Sequence, residues 1–232
     1  MGQTSVMRKP LTPAREFISP SDLTFGLSTC SRCLWIKYWF KVTMPGAFPL
    51  VGTLADLQEK HFRGASMTDI DSSLKEGTVT KWGEWVKSTP LIVNGESTRW
   101  RILGKYDLVA HNTDGTLALI DCKVSDSTRD SAQFYAPQLE AYAHSLESPA
   151  TGKPAHVASM GLLVWNPEEG FSDGERHGFL AGQKYLPVER DHTQFAKVIE
   201  NLITVLEGEL PESGPTCATC NYLIERARLD VL

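Results

Sequence analysis

The chain has 232 residues, 41% of them hydrophobic and 22% charged, an ordinary balance for a globular protein and enough to bury a sizeable core in one domain. No apolar run is long enough to span a bilayer and no GxxxxGK(S/T) phosphate loop is present, which excludes a membrane-spanning protein and a P-loop ATPase. The net charge of −5 argues mildly against a nucleic-acid partner, although a sum does not show where the charge sits.

Residues 1–17 are polar and proline-containing, and are expected to form a mobile segment ahead of a single domain over 18–232. The start, MGQTSVMRKPLTP, lacks the apolar core of a signal peptide and has Val6 where a myristoylation signal needs Ser or Thr. The cysteines are therefore expected to be reduced, in a cytoplasm. The first pair is Cys30-Ser31-Arg32-Cys33. Leu34 to Phe40 follows, dense in Trp35, Lys37, Tyr38, Trp39 and Phe40, with Lys41 after it. It reads either as a helix packing rings into the core or as a groove that stacks bases, with Arg32, Lys37 and Lys41 facing phosphates. Gly64 to Leu91 is polar and reads as loops with short helices, Trp82 and Trp85 anchoring a helical turn.

The most informative stretch runs from Gly104 to Tyr142. GKYDLVA and LALIDCK flank the turn residues Asn112, Asp114 and Gly115, which predicts an antiparallel hairpin. Side chains two apart on a strand share a face, so Asp121 and Lys123 point together while Cys122 points into the layer behind. The hairpin brings Asp107 beside them. Two acids and an ammonium group on neighbouring strands can hold Mg2+ or Mn2+ and leave room for water and a phosphate oxygen. Lys123 then has two tasks, to orient or help deprotonate the attacking water and to offset charge on the phosphate. Gln133 to Leu146 is helical in pattern, with Gln138 and Tyr142 four apart on one face and Tyr135 with them, placed to hydrogen-bond Lys123 or the phosphate. Lys105 and Arg129 accompany this site.

Ala155 to Trp165 is an apolar run ending at Asn166-Pro167 and predicts a further strand. Gln194 to Leu210 places Phe195, Val198, Ile199, Leu202, Ile203 and Leu206 at helical spacing, a core-packing amphipathic helix. Its acidic tail of Glu207, Glu209 and Glu212 reads as solvated surface. Cys217-Ala218-Thr219-Cys220 then supplies the second pair. Four thiolates suit a tetrahedral zinc ion or a cubane iron–sulfur cluster, and either would clasp the two ends of the chain together. His111 lies in the hairpin turn and reads as exposed, His144 is two past Tyr142 and faces away from the site, and His156, His177 and His192 have no ligand spacing and read as ordinary residues. The fold expected is α/β, a central mixed sheet flanked by helices.

Asp107, then Asp121-Cys122-Lys123, then Gln138-Leu139-Glu140-Ala141-Tyr142, in that order, resemble the PD-(D/E)xK nuclease superfamily, in its RecB-like and CRISPR-associated exonuclease branch. Ile18-Ser19-Pro20-Ser21 and the two cysteine pairs extend the likeness over most of the chain. The resemblance implies a restriction-endonuclease-like core and a metal-dependent DNA nuclease acting from ends or on single strands. Asp107, Asp121 and the carbonyl of Cys122 would bind the metal. Gln138 and Tyr142 would align the target. Such proteins usually carry a His or an acid on an earlier helix; here Leu54 to Phe62 offers Asp56, Glu59 or His61. The resemblance also favours a 4Fe-4S cluster over zinc, but it does so through one N-terminal and three C-terminal cysteines. In this chain Arg226 or a neighbour stands where the last cysteine is expected, leaving Cys30, Cys33, Cys217 and Cys220 as a two-plus-two set. The partners implied are DNA and possibly a helicase or a repair or CRISPR protein. A catalytically silent nucleic-acid-binding module and an RNA-processing nuclease are the alternative functions.

Overall fold

The computed structural model describes residues 8–43, 50–125 and 132–229; the first seven residues of the expected mobile segment, and Arg129, lie outside the described residues. In chain order the strands are β1 (Phe17–Ile18), β2 (Gly77–Trp82), β3 (Trp85–Lys87), β4 (Ile92–Val93), β5 (Glu96–Ser97), β6 (Arg101–Lys105), β7 (Leu108–Asn112), β8 (Leu117–Val124), β9 (Val157–Asp173) and β10 (Arg176–Val188). The helices are α1 (Leu27–Thr29), α2 (Ser31–Phe40), α3 (Val51–His61), α4 (Met67–Ile70), α5 (Ala136–Glu147), α6 (His192–Glu207) and α7 (Ala218–Leu229), with a π-helical turn at Asp22–Gly26 and a 3-10 turn at Ala132–Tyr135.

The central sheet has the order β10-β9-β8-β7-β2 and is mixed: β8 and β9 run parallel, and the other neighbours antiparallel. A parallel pair cannot be closed by a tight turn, so the chain leaves β8, passes through α5 and returns as β9. The expected hairpin is present as β7 and β8, turning at Asn112–Gly115, where Gly115 takes φ +82°. β8 is the central strand, buried continuously from Leu117 to Cys122, as a strand covered on both faces must be. On one face Leu139 and Ala143 of α5 pack against Val109, Leu119 and Leu162. On the other, Phe62, Met67 and Ile70 cover Ala118, Ile120 and Cys122. Truncating a fully buried leucine such as Leu139 costs about 2–5 kcal/mol, a large share of a domain's stability.

A smaller sheet, β1-β6-β3, has β1 parallel and β3 antiparallel to β6. Behind it α2 and α6 form a third apolar cluster around Trp35, Trp39, Trp100 and Phe195. This settles how Leu34 to Phe40 is used. Trp35, Tyr38 and Trp39 are buried, and the two indole N–H groups donate to the carbonyls of Gly208 and Leu206. The rings are core, not a base-stacking groove. The nearby cations are also engaged: Lys37 pairs with Asp22 at 2.6 Å, and Arg32 donates to the carbonyl of Pro211 at 2.9 Å.

Two further expectations are corrected. Gly64 to Leu91 contains β2 and β3 as well as the short helix α4; Trp82 ends one strand and Trp85 begins the next, with Gly83 at φ +58° turning the chain between them. The alternation Thr78-Val79-Thr80 turns Val79 into the core and pairs this segment with β7. Nor is the acidic tail of α6 wholly solvated, since Glu207 accepts from the Trp100 indole at 2.7 Å and pairs with Arg99. Lys9 reaches the same helix end, donating to the carbonyls of Glu207 and Gly208. Among the described residues no helix is long and apolar enough to cross a membrane.

Candidate active site and four-cysteine cluster

Asp121 and Lys123 project from the same face of β8, and Cys122 lies behind them, buried in the apolar layer. Asp121 is buried; Gln138 donates to its Oδ1 at 2.9 Å, while its Oδ2 faces the Lys123 ammonium group as an ion pair. Asp107 stands where β6 passes into β7, and its Oδ2 accepts the backbone N–H of Cys122 at 2.7 Å. Burial first, and then the charge of Asp121, push the Asp107 carboxyl up to about 7, against the pull of Lys123 and the Cys122 N–H. Burial alone would lower Lys123, yet the carboxylates of Asp121 and Asp107 outweigh it and hold the amine above its ordinary range. Lys123 is therefore an ammonium ion at neutral pH. Its Nζ lies 3.4 Å from the Cys122 carbonyl and 5.2 Å from the centre of the Tyr135 ring.

Of the three candidates on the earlier helix, only Glu59 is turned to this centre. It is buried, pairs with Arg63 at 3.0 Å and Lys105 at 3.9 Å, and adds to the upward push on Asp107. Asp56 is exposed, and the exposed His61 lays its ring against Phe62 and Trp165. The orientation comes from Gln58, whose amide donates to the Leu163 carbonyl at 2.7 Å and pins α3 across β9. Gly83 makes room for the acid, since a Cβ there would meet both Glu59 carboxylate oxygens and Lys105 Cε at 3.0 Å.

Gln138 and Tyr142 do share a face of α5, but neither binds Lys123. Gln138 bonds Asp121, and the Tyr142 hydroxyl donates to the Lys105 carbonyl at 2.9 Å. Gly104 explains the second contact: a Cβ there would lie 2.6 Å from Pro20 and 2.7 Å from the Tyr142 ring. The bare backbone lets the Ile18-Ser19-Pro20-Ser21 segment and Tyr142 close over β6. No motif marks Arg190, which donates to Glu140 at 2.8 Å, Glu147 at 2.7 Å and the Val157 carbonyl. This buried network locks α5, and so Gln138, to the strand that follows.

The second centre lies at the junction of the chain's ends. Cys30 precedes α2 and Cys33 is in its first turn; Cys217 precedes α7 and Cys220 is in its first turn. Both pairs thus sit at helix N-termini, where backbone N–H groups favour a thiolate. The four sulfurs all lie within 4.8 Å of one another, with separations of 3.8 Å for Cys30–Cys220, 3.7 Å for Cys33–Cys217 and 3.5 Å for Cys33–Cys220. Burial opposes ionisation of Cys30, but N–H donors from Cys33 and Gly214 outweigh it and bring the thiol down to about 6; burial and its sulfur neighbours push Cys33 up. The four cysteines can bind a metal ion, and they join the N- and C-terminal parts. The carboxylate centre is looser, since among the described residues only the cysteines draw three or more acidic, histidine or thiol ligands so close.

No family model matches the chain, and no curated protein matches it. Among solved structures, the crystal structure of SSO0001 matches with a TM-score of 0.47 and 15% identity, over 84% of this chain and 78% of that one. A likeness of that size bears neither on the fold nor on the activity.

Proposed function

We propose that this chain is a divalent-metal-dependent nuclease of the PD-(D/E)xK type with a restriction-endonuclease-like core, acting on DNA. The observation that carries the reading is the convergence of Glu59, Asp107 and Asp121 from three separate elements, with Lys123 between acids and Gln138 fixing one of them. The donor set suits a hard cation: all oxygen and largely buried, with Asp107 pushed up to about 7 first by burial and then by the charge of Asp121. Asp107, Asp121, Glu59 and the Cys122 carbonyl are the groups that would hold Mg2+ or Mn2+, which supplies Lewis acidity toward the phosphate and the attacking water.

The chain's own groups have definite tasks. Lys123 stays charged, which makes it a donor and a counter-charge for the phosphate rather than a base. Gln138 and the Cys122 N–H each occupy one oxygen of an acid and so fix which oxygen is left for a ligand. Tyr142 acts through the backbone of β6 and positions Lys105.

The thiol centre is proposed as a metal clasp. Its shortest sulfur separations match the edge of a tetrahedron of thiolates around one ion, about 3.8 Å for Zn–S bonds of about 2.3 Å. A four-iron cubane, with one thiolate on each of four separate irons, requires the sulfurs to spread. Iron and a brown colour in protein purified without oxygen would assign the cluster; colourless protein with one zinc per chain would assign the single ion.

The nuclease reading is tested by incubating labelled single-stranded DNA, duplex DNA and RNA with the protein in Mg2+ or Mn2+. Metal-dependent cutting of DNA that disappears in Lys123→Ala supports it. Binding without cutting would leave a nucleic-acid-binding module, and a preference for RNA would move the substrate.

A further inference from the structure

We infer that the outer face of the β1-β6-β3 sheet is the track along which a single-stranded nucleic acid approaches the carboxylate centre. The register places the side chains. Trp85 pairs with Lys105, Lys87 with Leu103 and Phe17 with Arg101, and directly paired residues point to the same side of a sheet. The intervening residues Ile18, Val86, Ile102 and Gly104 turn inward. Lys87 Nζ lies 5.5 Å from the centre of the Phe17 ring, which confirms the shared face.

This face has an unusual balance. Trp85 is 70% exposed, where Trp35, Trp39 and Trp100 behind the sheet are buried. Among the described residues Lys87 and Arg101 have no acidic partner, and Lys105 has only Glu59 at 3.9 Å. Unpaired cations in a chain of net charge −5 are spare attraction for an anion, and here two of them stand on one face beside Lys105. The strip has direction. Lys105 touches Glu59 of the carboxylate centre, and Arg101, four residues back along β6, stands ~13 Å away beside an open cleft lined by Glu16, Phe17, Lys87 and Arg99. Cations alternating with an exposed indole are what a single strand needs, phosphates on the charges and a base on the ring. Duplex DNA keeps its bases stacked inside and has no use for the indole.

The inference rests on the nuclease reading for what happens to the strand, but not for its binding. The experiment is therefore run in EDTA, by fluorescence anisotropy with a labelled oligothymidylate and with a duplex of equal length. The double variant Lys87→Glu/Arg101→Glu is expected to bind the single strand at least tenfold more weakly, and its log K against log[salt] slope to be shallower by about 1.4 for two lost phosphate contacts. Trp85→Ala should lose roughly fivefold or more in single-strand affinity with the slope unchanged. Lys197→Glu/Arg176→Glu changes net charge equally at exposed positions elsewhere and should bind like the wild type. Wild-type affinity and slope in Lys87→Glu/Arg101→Glu would overturn the track. Duplex bound as tightly as the single strand, with no effect of Trp85→Ala, would overturn the single-strand assignment. A wild type that binds by these rules yet cuts nothing in Mg2+ or Mn2+ sinks the nuclease reading and leaves the track standing.

Discussion

The two ligand-bearing centres of this chain are built on opposite principles. The thiol centre gathers four sulfurs at two helix N-termini, tightly enough that all lie within 4.8 Å of one another. The carboxylate centre stays more open, and a lysine from its own strand is folded onto one of its acids. Thiols are neutral when protonated and can crowd. Buried carboxylates repel each other and must find a counter-charge or a proton. The four thiols can therefore draw close together, while the acids of the second centre are set against the Lys123 ammonium group. Under the proposed function the difference gives the cysteines to architecture and the acids to chemistry.

The largest effect that could break this division is expected at Lys123. Lys123→Ala or Asp121→Asn should lower the cleavage rate by about a hundredfold or more, the scale of losing one group that stabilises a transition state, in protein that keeps its fold by circular dichroism. If Lys123→Ala retained wild-type cleavage in Mg2+, the lysine would be only a structural counter-charge. Next comes Cys220→Ser, expected to release the bound metal and lower the melting temperature by roughly 10 °C or more, because metal held by both ends of the chain is folding free energy. Metal analysis beside calorimetry reads it. An unchanged melting temperature in metal-free protein would remove the clasp from the stability of the fold.

A smaller effect sharpens the carboxylate side. Glu59→Gln should weaken the Mg2+ dependence of cleavage by about tenfold, the cost of losing a group at a metal site, whereas Asp56→Asn and His61→Ala should leave it unchanged. A Mg2+ titration of the three variants decides which of them completes the site, and an effect confined to Asp56→Asn or His61→Ala would exclude Glu59.

That choice was beyond the sequence for a physical reason. Asp121 and Lys123 could be read directly because the two-residue period of a strand is local, and Asp107 followed because the turn at Asn112–Gly115 sets the register of β7 on β8. A helix gives only relative angles. Which face of α3 meets the sheet depends on Gln58 bonding the Leu163 carbonyl, more than a hundred residues away in the chain. Composition misled in the same way over Leu34 to Phe40, since rings and cations in a row do not tell whether Trp35 and Trp39 will find Gly208 and Leu206 to bond. The exposed Trp85 went unread because Gly83 turns two strands where the polar segment reads as loop.

The weakest effect tests the electrostatics that separate the two centres. The Asp107 carboxyl rises from an ordinary 3.8 to about 7, chiefly through burial and then through Asp121. Below its ordinary value both folded and unfolded chains hold the proton, and the group is neutral in its effect. Between the two values the folded chain holds more protons than the unfolded one, so stability falls as pH rises and the loss is complete only above about 7. Metal-free protein should therefore lose on the order of 1 kcal/mol from this group between about pH 6 and pH 8. Urea unfolding in EDTA at the two pH values measures it, and Asp107→Asn should abolish the difference. Added Mg2+ should also abolish it, because a cation holding the carboxylate ionised in the folded chain displaces the proton, and calorimetry near the lower pH should record that release. If stability in EDTA instead rose through this range in the wild type and in Asp107→Asn alike, the two acids would not be sharing a buried charge, and the contrast with the thiol centre would lose its electrostatic basis.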